Sequence, residues 1–364
     1  MGANHKGGAA APQDVGAFRA ALLSWWDAHG RDLPWRGAHM DPYRVWLSEV
    51  MLQQTTVPAA IPYFEAFTRR WPSVQALAAA RDEDVMAAWA GLGYYARARN
   101  MLCAARAVAA AGGTFPADEG ALRALPGVGA YTAAAVRAFA FGLPAAPVDA
   151  NVERVMARWG AVEVPFPAGK AQAHALARHL AEGRADRPGD FAAALMDLGS
   201  GVCRPRGPEC GACPVAGSCL GRARGIAADL PRRAPKAPRP LRHGHVYWVE
   251  EGGLVLVHRR PARGLLGGML GLPTSAWGPG PQAHPAFLAP VGEGLAPVRH
   301  VFTHFSLVLT PWRARLTGPV PEGHAWAPPP AAPDMPTVFA KAVGRFSAPG
   351  LFTKFDGTAA ATVS

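Results

Sequence analysis

The chain has 364 residues, 37 Lys and Arg against 26 Asp and Glu, and half of its residues are hydrophobic. That composition excludes a wholly disordered polypeptide and gives length for about two domains, and no apolar run approaches the ~18 residues of a membrane span. A formal charge of +11 and a pI near 10.0 favour a polyanionic partner.

Taken in order, residues 1–14 lack the contiguous apolar core of a signal peptide and read as a flexible cytoplasmic leader. From 15 to 220 the pattern is helical, with apolar residues recurring at three and four: Phe18/Leu22/Leu23/Trp26, Val45/Leu47/Val50/Met51, Leu102/Val108, Val136/Phe139 and Leu176/Leu180. Cys103, inside an Ala-rich helical stretch, reads as a buried small hydrophobe. Residues 221–243 are basic and proline-rich and read as an extended linker. The period then changes to two: HVYWVE, LVLVHRR and HVFTHFSLVLTPWRARL predict the strands of a mixed second domain over 244–349, with a short helix near 337–343. Residues 350–364 read as a frayed tail.

Four of the five cysteines, Cys203, Cys210, Cys213 and Cys219, fall in the pattern C-x6-C-x2-C-x5-C. Four thiolates in one Gly/Pro-rich loop suit zinc or a [4Fe-4S] cluster. Zinc modules usually carry two close pairs, whereas only Cys210 and Cys213 form one here, so the spacing favours iron and sulfur. Arginines 204, 206, 222 and 224 flank the loop and suit DNA phosphates.

LPGVGAYTAAAV, 125–136, sits between two helical patterns. Backbone amides around Gly127, Val128 and Gly129 fit a phosphate-binding hairpin, and they also fit an ordinary helix-helix corner. Asp149 stands at the start of the next helical stretch, the usual place of an N-cap.

Together the hairpin, the downstream Val-Asp and the cysteine loop resemble the DNA glycosylase superfamily that includes endonuclease III. LPWR (33–36), WLSEVMLQQTTV (46–57), GLGYYARARN (91–100) and MDLG (196–199) narrow this resemblance to its adenine glycosylases of the MutY type. The resemblance implies an α+β multidomain protein: an all-α helix-hairpin-helix glycosylase region with an iron-sulfur loop, followed by a Nudix-like α/β domain. It implies a monomer acting on double-stranded DNA that holds adenine opposite 8-oxoguanine or G. Breaking an N-glycosidic bond needs a proton for the departing base and negative charge beside the sugar, hence two carboxylates of separated pKa. By resemblance, Glu49 protonates adenine and Asp149 stabilises the cationic sugar. Trp35, Arg36, Tyr131 and Asn151 match positions lining the adenine pocket, and Gln54 and Tyr94 match residues that enter the duplex. In the second domain Phe302, Thr303 and His304 match the loop that reads 8-oxoguanine.

Strand-cutting relatives carry a lysine where this chain has Tyr131, and no lysine lies between residues 7 and 169, so a monofunctional glycosylase is expected. Three positions depart from the pattern: Ala193 for a Gln or Glu, Glu153 for a base, and Thr303 for a Ser. No acid occurs between Gly252 and Gly292, which excludes the glutamate-rich Mg2+ site of a working Nudix hydrolase. The rivals are an endonuclease III-like glycosylase/lyase on oxidised pyrimidines, disfavoured by Tyr131, and a noncatalytic iron-sulfur DNA-binding protein, which gives no reason for Glu49 and Asp149.

Overall fold

The structure is a computed structural model that describes residues 14–37, 41–182, 186–235, 238–261, 264–330 and 335–346. The expected tail, and the expected leader apart from Asp14, lie outside the described residues. The chain divides into two compact units, the first ending at Pro235.

The first unit is helical. Its elements are α1 (Val15–His29), α2 (Pro42–Leu52), α3 (Val57–Arg70), α4 (Val74–Ala78), α5 (Asp82–Ala88), α6 (Ala96–Ala110), α7 (Glu119–Ala124), α8 (Ala130–Phe139), α9 (Ala150–Trp159), α10 (Lys170–Ala181), α11 (Pro188–Gly201) and α12 (Leu220–Ala223). Short acidic side chains set several starts: Asp14, Asp41, Asp118 and Asp149 each accept a backbone N–H from the first turn of α1, α2, α7 and α9. Two cores result. Helices α2 to α8 enclose Trp46, Leu47, Met51, Phe64, Trp89 and Leu102, while α1 and α9 to α11 enclose Phe18, Leu22, Met156, Trp159 and Phe191. Helix α8 packs on both α2 and α11. Its buried residues are small, among them Ala133, Ala135 and Ala138, so neighbouring backbones approach closely.

Two local readings change. Cys103 is exposed, because the core face of α6 is taken by Met101, Leu102, Ala104, Ala105 and Val108, which turns position 103 outward. Residues 221–235, read as linker, fold onto the first unit. Leu230 is buried and its carbonyl accepts from Arg158 Nε at 2.9 Å. Phe166 exchanges backbone bonds with Arg232 and Ala234 at 2.8 and 3.0 Å. The prolines and arginines here gave a linker-like composition, while the few apolar residues between them supply the anchors.

The second unit holds two small sheets. In one, β1 (Leu241–Trp248) runs parallel to β7 (Ser306–Leu316), in register from Leu241 with Ser306 to Trp248 with Arg313. Strands β5 (Leu288–Val291) and β6 (Val298–Val301) pair antiparallel with β7. In the other, β3 (Leu254–Arg259) pairs with β2 (Glu250–Glu251), β4 (Leu270–Gly271) and β8 (His324–Ala327). A last helix, α13 (Thr337–Phe346), adds Val338, Phe339, Ala342 and Phe346 to a core with Val246, Val255 and Leu307.

Candidate active site

A cavity of about 850 Å3 in the first unit is lined by residues of both helical cores, Glu49, Asp149, Trp35, Arg36, Tyr131 and Asn151 among them. Residues 100 positions apart in sequence are thus brought to one wall. Cavities of this size suit a small organic ring system.

Glu49 comes from α2, is 5% exposed, and its Oε2 has no hydrogen-bond partner. Burial pushes its pKa up to about 7; a hydrogen bond with Tyr131 opposes that rise, the Asp149 carboxylate adds to it, and Arg36 opposes it. A carboxyl of this kind is a proton donor near neutral pH. The Tyr131 phenol, at the start of α8, is itself pushed well up by burial and by Glu49, so it stays neutral.

Asp149 is the N-cap of α9: Oδ1 accepts from Val152 N at 2.7 Å, and Oδ2 accepts from Asn151 Nδ2 at 2.8 Å. Capping and facing the cavity are compatible, because the same carboxylate satisfies the helix end and presents its charge to the cavity. Asn151 is held in turn by Arg154, whose Nη2 donates to Asn151 Oδ1 at 2.8 Å and to the Gly199 carbonyl at 2.6 Å, while Nε donates to the Cys203 carbonyl at 2.7 Å. A Cβ on Gly199 would lie 2.6 Å from Asn151 Cβ, which explains that glycine.

Asp197 was not singled out as a candidate. Its carboxylate, 2% exposed as a side chain, takes two bonds from Arg36 at 2.7 and 3.0 Å, one from Arg31 Nε at 2.7 Å, one from Arg31 N at 3.1 Å and one from Trp26 Nε1 at 3.0 Å. Burial works against its charge, but Arg36 and Arg31 outweigh burial and hold its pKa below the ordinary value. The available signal was a lone acid in the apolar run FAAALMDLG.

Gln54 and Tyr94 do not line the cavity. Both have left-handed backbone, with φ of 60° and 51°, and Tyr94 is 60% exposed. Their loops are tied by Arg97, which donates to the carbonyls of Met51, Gln53 and Leu92 and to Thr55 Oγ1. At the hairpin, Gly127 has a φ of 75° and a Cβ there would meet Asn100 at 2.9 Å, whereas a Cβ on Gly129 meets nothing within 4 Å. Gly127 therefore makes the turn and Gly129 leaves open space before the N-terminus of α8, with Val128 buried between them.

Of the three departures, Ala193 lines the cavity with Gly189 and Met196. Glu153 is turned inward, accepting from Lys170 at 2.8 Å and His174 at 3.0 Å, so its charge is neutralised on α10. Thr303 and His304 are exposed in the β6–β7 turn of the second unit, where Phe302 N donates to the Phe305 carbonyl at 2.9 Å.

All four cysteine thiols line one small pocket beside Arg158. Arg158 Nη1 reaches Cys203 Sγ at 3.3 Å. Burial raises the Cys213 thiol to about 11, with charge on the other three adding to the rise. Among the described residues no three ligating side chains are placed to hold a single metal ion. Four thiols around one pocket are a donor set that suits a [4Fe-4S] cluster.

Residues 47–182 match the helix-hairpin-helix superfamily of base excision DNA repair proteins, and residues 245–345 match the Nudix domain. Among solved structures, a thermostable thymine-DNA glycosylase superposes with a TM-score of 0.52 at 29% identity, covering 58% of this chain and 97% of that one. An endonuclease III trapped as a covalent intermediate with DNA superposes at 0.50 and 21% identity, over 60% of this chain and all of that one, and shares the fold. The helical unit therefore has the fold of base excision repair glycosylases. Curated relatives define it further. The human adenine DNA glycosylase is 34% identical over 86% of this chain and 70% of its own length; that of Mycolicibacterium smegmatis is 42% identical over 58% and 72%. The chain belongs to the adenine DNA glycosylase family.

Proposed function

We propose that this DNA N-glycosylase receives an adenine turned out of duplex DNA opposite 8-oxoguanine or G, and hydrolyses its glycosidic bond without cutting the strand. The observation that carries this reading is the pairing of two unlike carboxyls in one cavity: Glu49, buried with a pKa near 7, and Asp149, hydrogen-bonded through both oxygens. Glu49 enters protonated and gives its proton to the base as the bond to the sugar breaks. The Asp149 carboxylate stabilises the cationic sugar, which water then attacks, its proton passing to the Glu49 carboxylate that the first step leaves. Tyr131, neutral and held at Glu49, has no amine with which to form a Schiff base. The extruded nucleotide is reached only outside the stack, and the open face at Gly129 suits a phosphate of the distorted backbone.

Cys203, Cys210, Cys213 and Cys219 would hold a [4Fe-4S] cluster, which supplies a rigid cross-link of the loop when bound. Arg158 braces that loop from beneath by donating to the Arg204 carbonyl at 2.7 Å. In the second unit, Phe302, Thr303 and His304 are assigned to reading the opposite base. Incubating the protein with duplexes carrying A opposite 8-oxoguanine, G or T and scoring adenine release tests the reading; equal release from all three, or none from any, would overturn it.

A further inference from the structure

We infer that Asp197 is a positioning residue which holds Arg36 away from ion pairing with Glu49 and so preserves Glu49 as a proton donor; this rests on the reading of Glu49 given above. Arg36 pairs with Asp197 and lines the same cavity as Glu49. Arg36 lies close enough to Glu49 to favour its charged form, and both Nη groups are taken by Asp197 in a two-pronged contact at 2.7 and 3.0 Å. Such a contact is directional as well as strong, and a planar fork that faces one carboxylate cannot pair with a second in the same way. Arg31 and the Trp26 indole complete the hold on Asp197, so the acceptor itself cannot swing. The Oε2 atom of Glu49 is meanwhile buried without a partner, although a donor lies within electrostatic reach. A site selected only for stability would satisfy that oxygen; this one leaves it free, as proton donation to a ligand requires.

The charged and titratable groups facing Glu49 are few. Tyr131 faces it from α8, Asp149 from the start of α9, and Arg36 from the segment after α1. Arg31 and Asp190 also line the cavity. Arg97, from α6, is committed to the carbonyls of Val50 and Met51 at the end of α2. Of the two arginines bound to Asp197, Arg36 is the one that acts on the Glu49 charge.

The test is the pH profile of single-turnover adenine release by the full chain on A opposite 8-oxoguanine. Wild type should lose rate as pH rises through about 7. Asp197→Asn frees Arg36 to pair with Glu49, and an opposing charge at that range lowers a carboxyl by about one unit or more. The descending limb should move down by that amount, cutting the rate roughly 8-fold at half a unit above the wild-type midpoint while the low-pH plateau per folded molecule is kept. Adding Arg36→Gln to Asp197→Asn should return the limb to wild type or above it, which a merely structural role for Asp197 would not produce. If Asp197→Asn does not fold, Arg36→Lys keeps the charge but gives up the two-pronged hold, and its limb should move down as well. An unmoved limb in the folded variant overturns the inference. A wild-type profile with no descending limb instead overturns the assignment of Glu49 as acid.

Discussion

Glu49→Gln should sharply reduce adenine release and, above a definite pH, should also stabilise the protein. The rise of the Glu49 pKa from 4.5 to about 7 on folding means that the unfolded chain ionises this carboxyl first. Stability is full below pH 4.5 and falls as pH rises through about 7, beyond which no more is lost. At about 1.4 kcal/mol per unit, the loss over the 2.5 units between 4.5 and about 7 is about 3.5 kcal/mol. Gln preserves the size and cannot ionise, so above pH 8 the variant should recover most of that amount, about 2–4 °C in melting temperature per kcal/mol for a unit of this size. At pH 4.5 the two proteins should melt together. Single-turnover release should fall by about 10^2 to 10^4, the range of a general acid. Melting curves at pH 4.5 and 8.5, beside excision assays on the same preparations, decide the matter. A stability difference that does not change with pH would refute the buried-acid argument, and near-normal release would refute the role.

For Asp149→Asn, release should vanish with little change in melting, since Asn also caps α9, whereas Asp149→Ala should lose release and about 1 kcal/mol of stability; excision that survives per folded molecule would reduce Asp149 to a cap. Purified protein should carry about four irons per chain, and Cys210→Ala should lose the cluster absorbance; stoichiometric zinc without iron, or an unaltered spectrum, would contradict the ligand assignment. Borohydride should trap no covalent adduct between protein and DNA, because Tyr131 offers no amine, and efficient trapping at a lysine would show lyase chemistry. A chain ended after Pro235 should keep adenine release and lose preference for 8-oxoguanine over G, and Thr303→Ala in the full chain should lower the same ratio at unchanged salt dependence; a constant ratio in both would move lesion reading to Gln54 and Tyr94.

How far each feature could be read from the amino acids depended on whether its cause was local. The cysteine loop, the Gly127 turn and the helix start at Asp149 depend on neighbours within a few positions, and spacing reveals them. Asp197 could not be connected to Arg36 that way, because 161 positions separate the partners and only folding brings α11 against the segment after α1. Arg97 is a similar case: within its own helix it looks like a surface base, yet it is 8% exposed and joins two loops. Cys103 was misjudged because an Ala-rich helix offers weak contrast between its faces. The 221–235 segment was misjudged because composition averages over the apolar residues, such as Leu230, that decide where a chain docks.

The two carboxyls belong to different cores, Glu49 to the one around Trp46 and Asp149 to the one around Met156, with the alanine-rich α8 between α2 and α11. Helix α9 is linked to α8 through α11, which packs on both, so the separation of the carboxyls depends on how α2 and α11 seat on α8 rather than on any bond between them. Replacing Ala135, which is fully buried, with Val or Leu would act as a shim, pushing α8 off its neighbours while each core keeps its own packing. Because a displacement of about 1 Å can cost a hundredfold in rate, such a chain would lose catalysis well before it lost its fold. Harmful substitutions in this unit should accordingly gather along the faces of α8 as well as around the reacting groups, and a screen by folding alone would pass them.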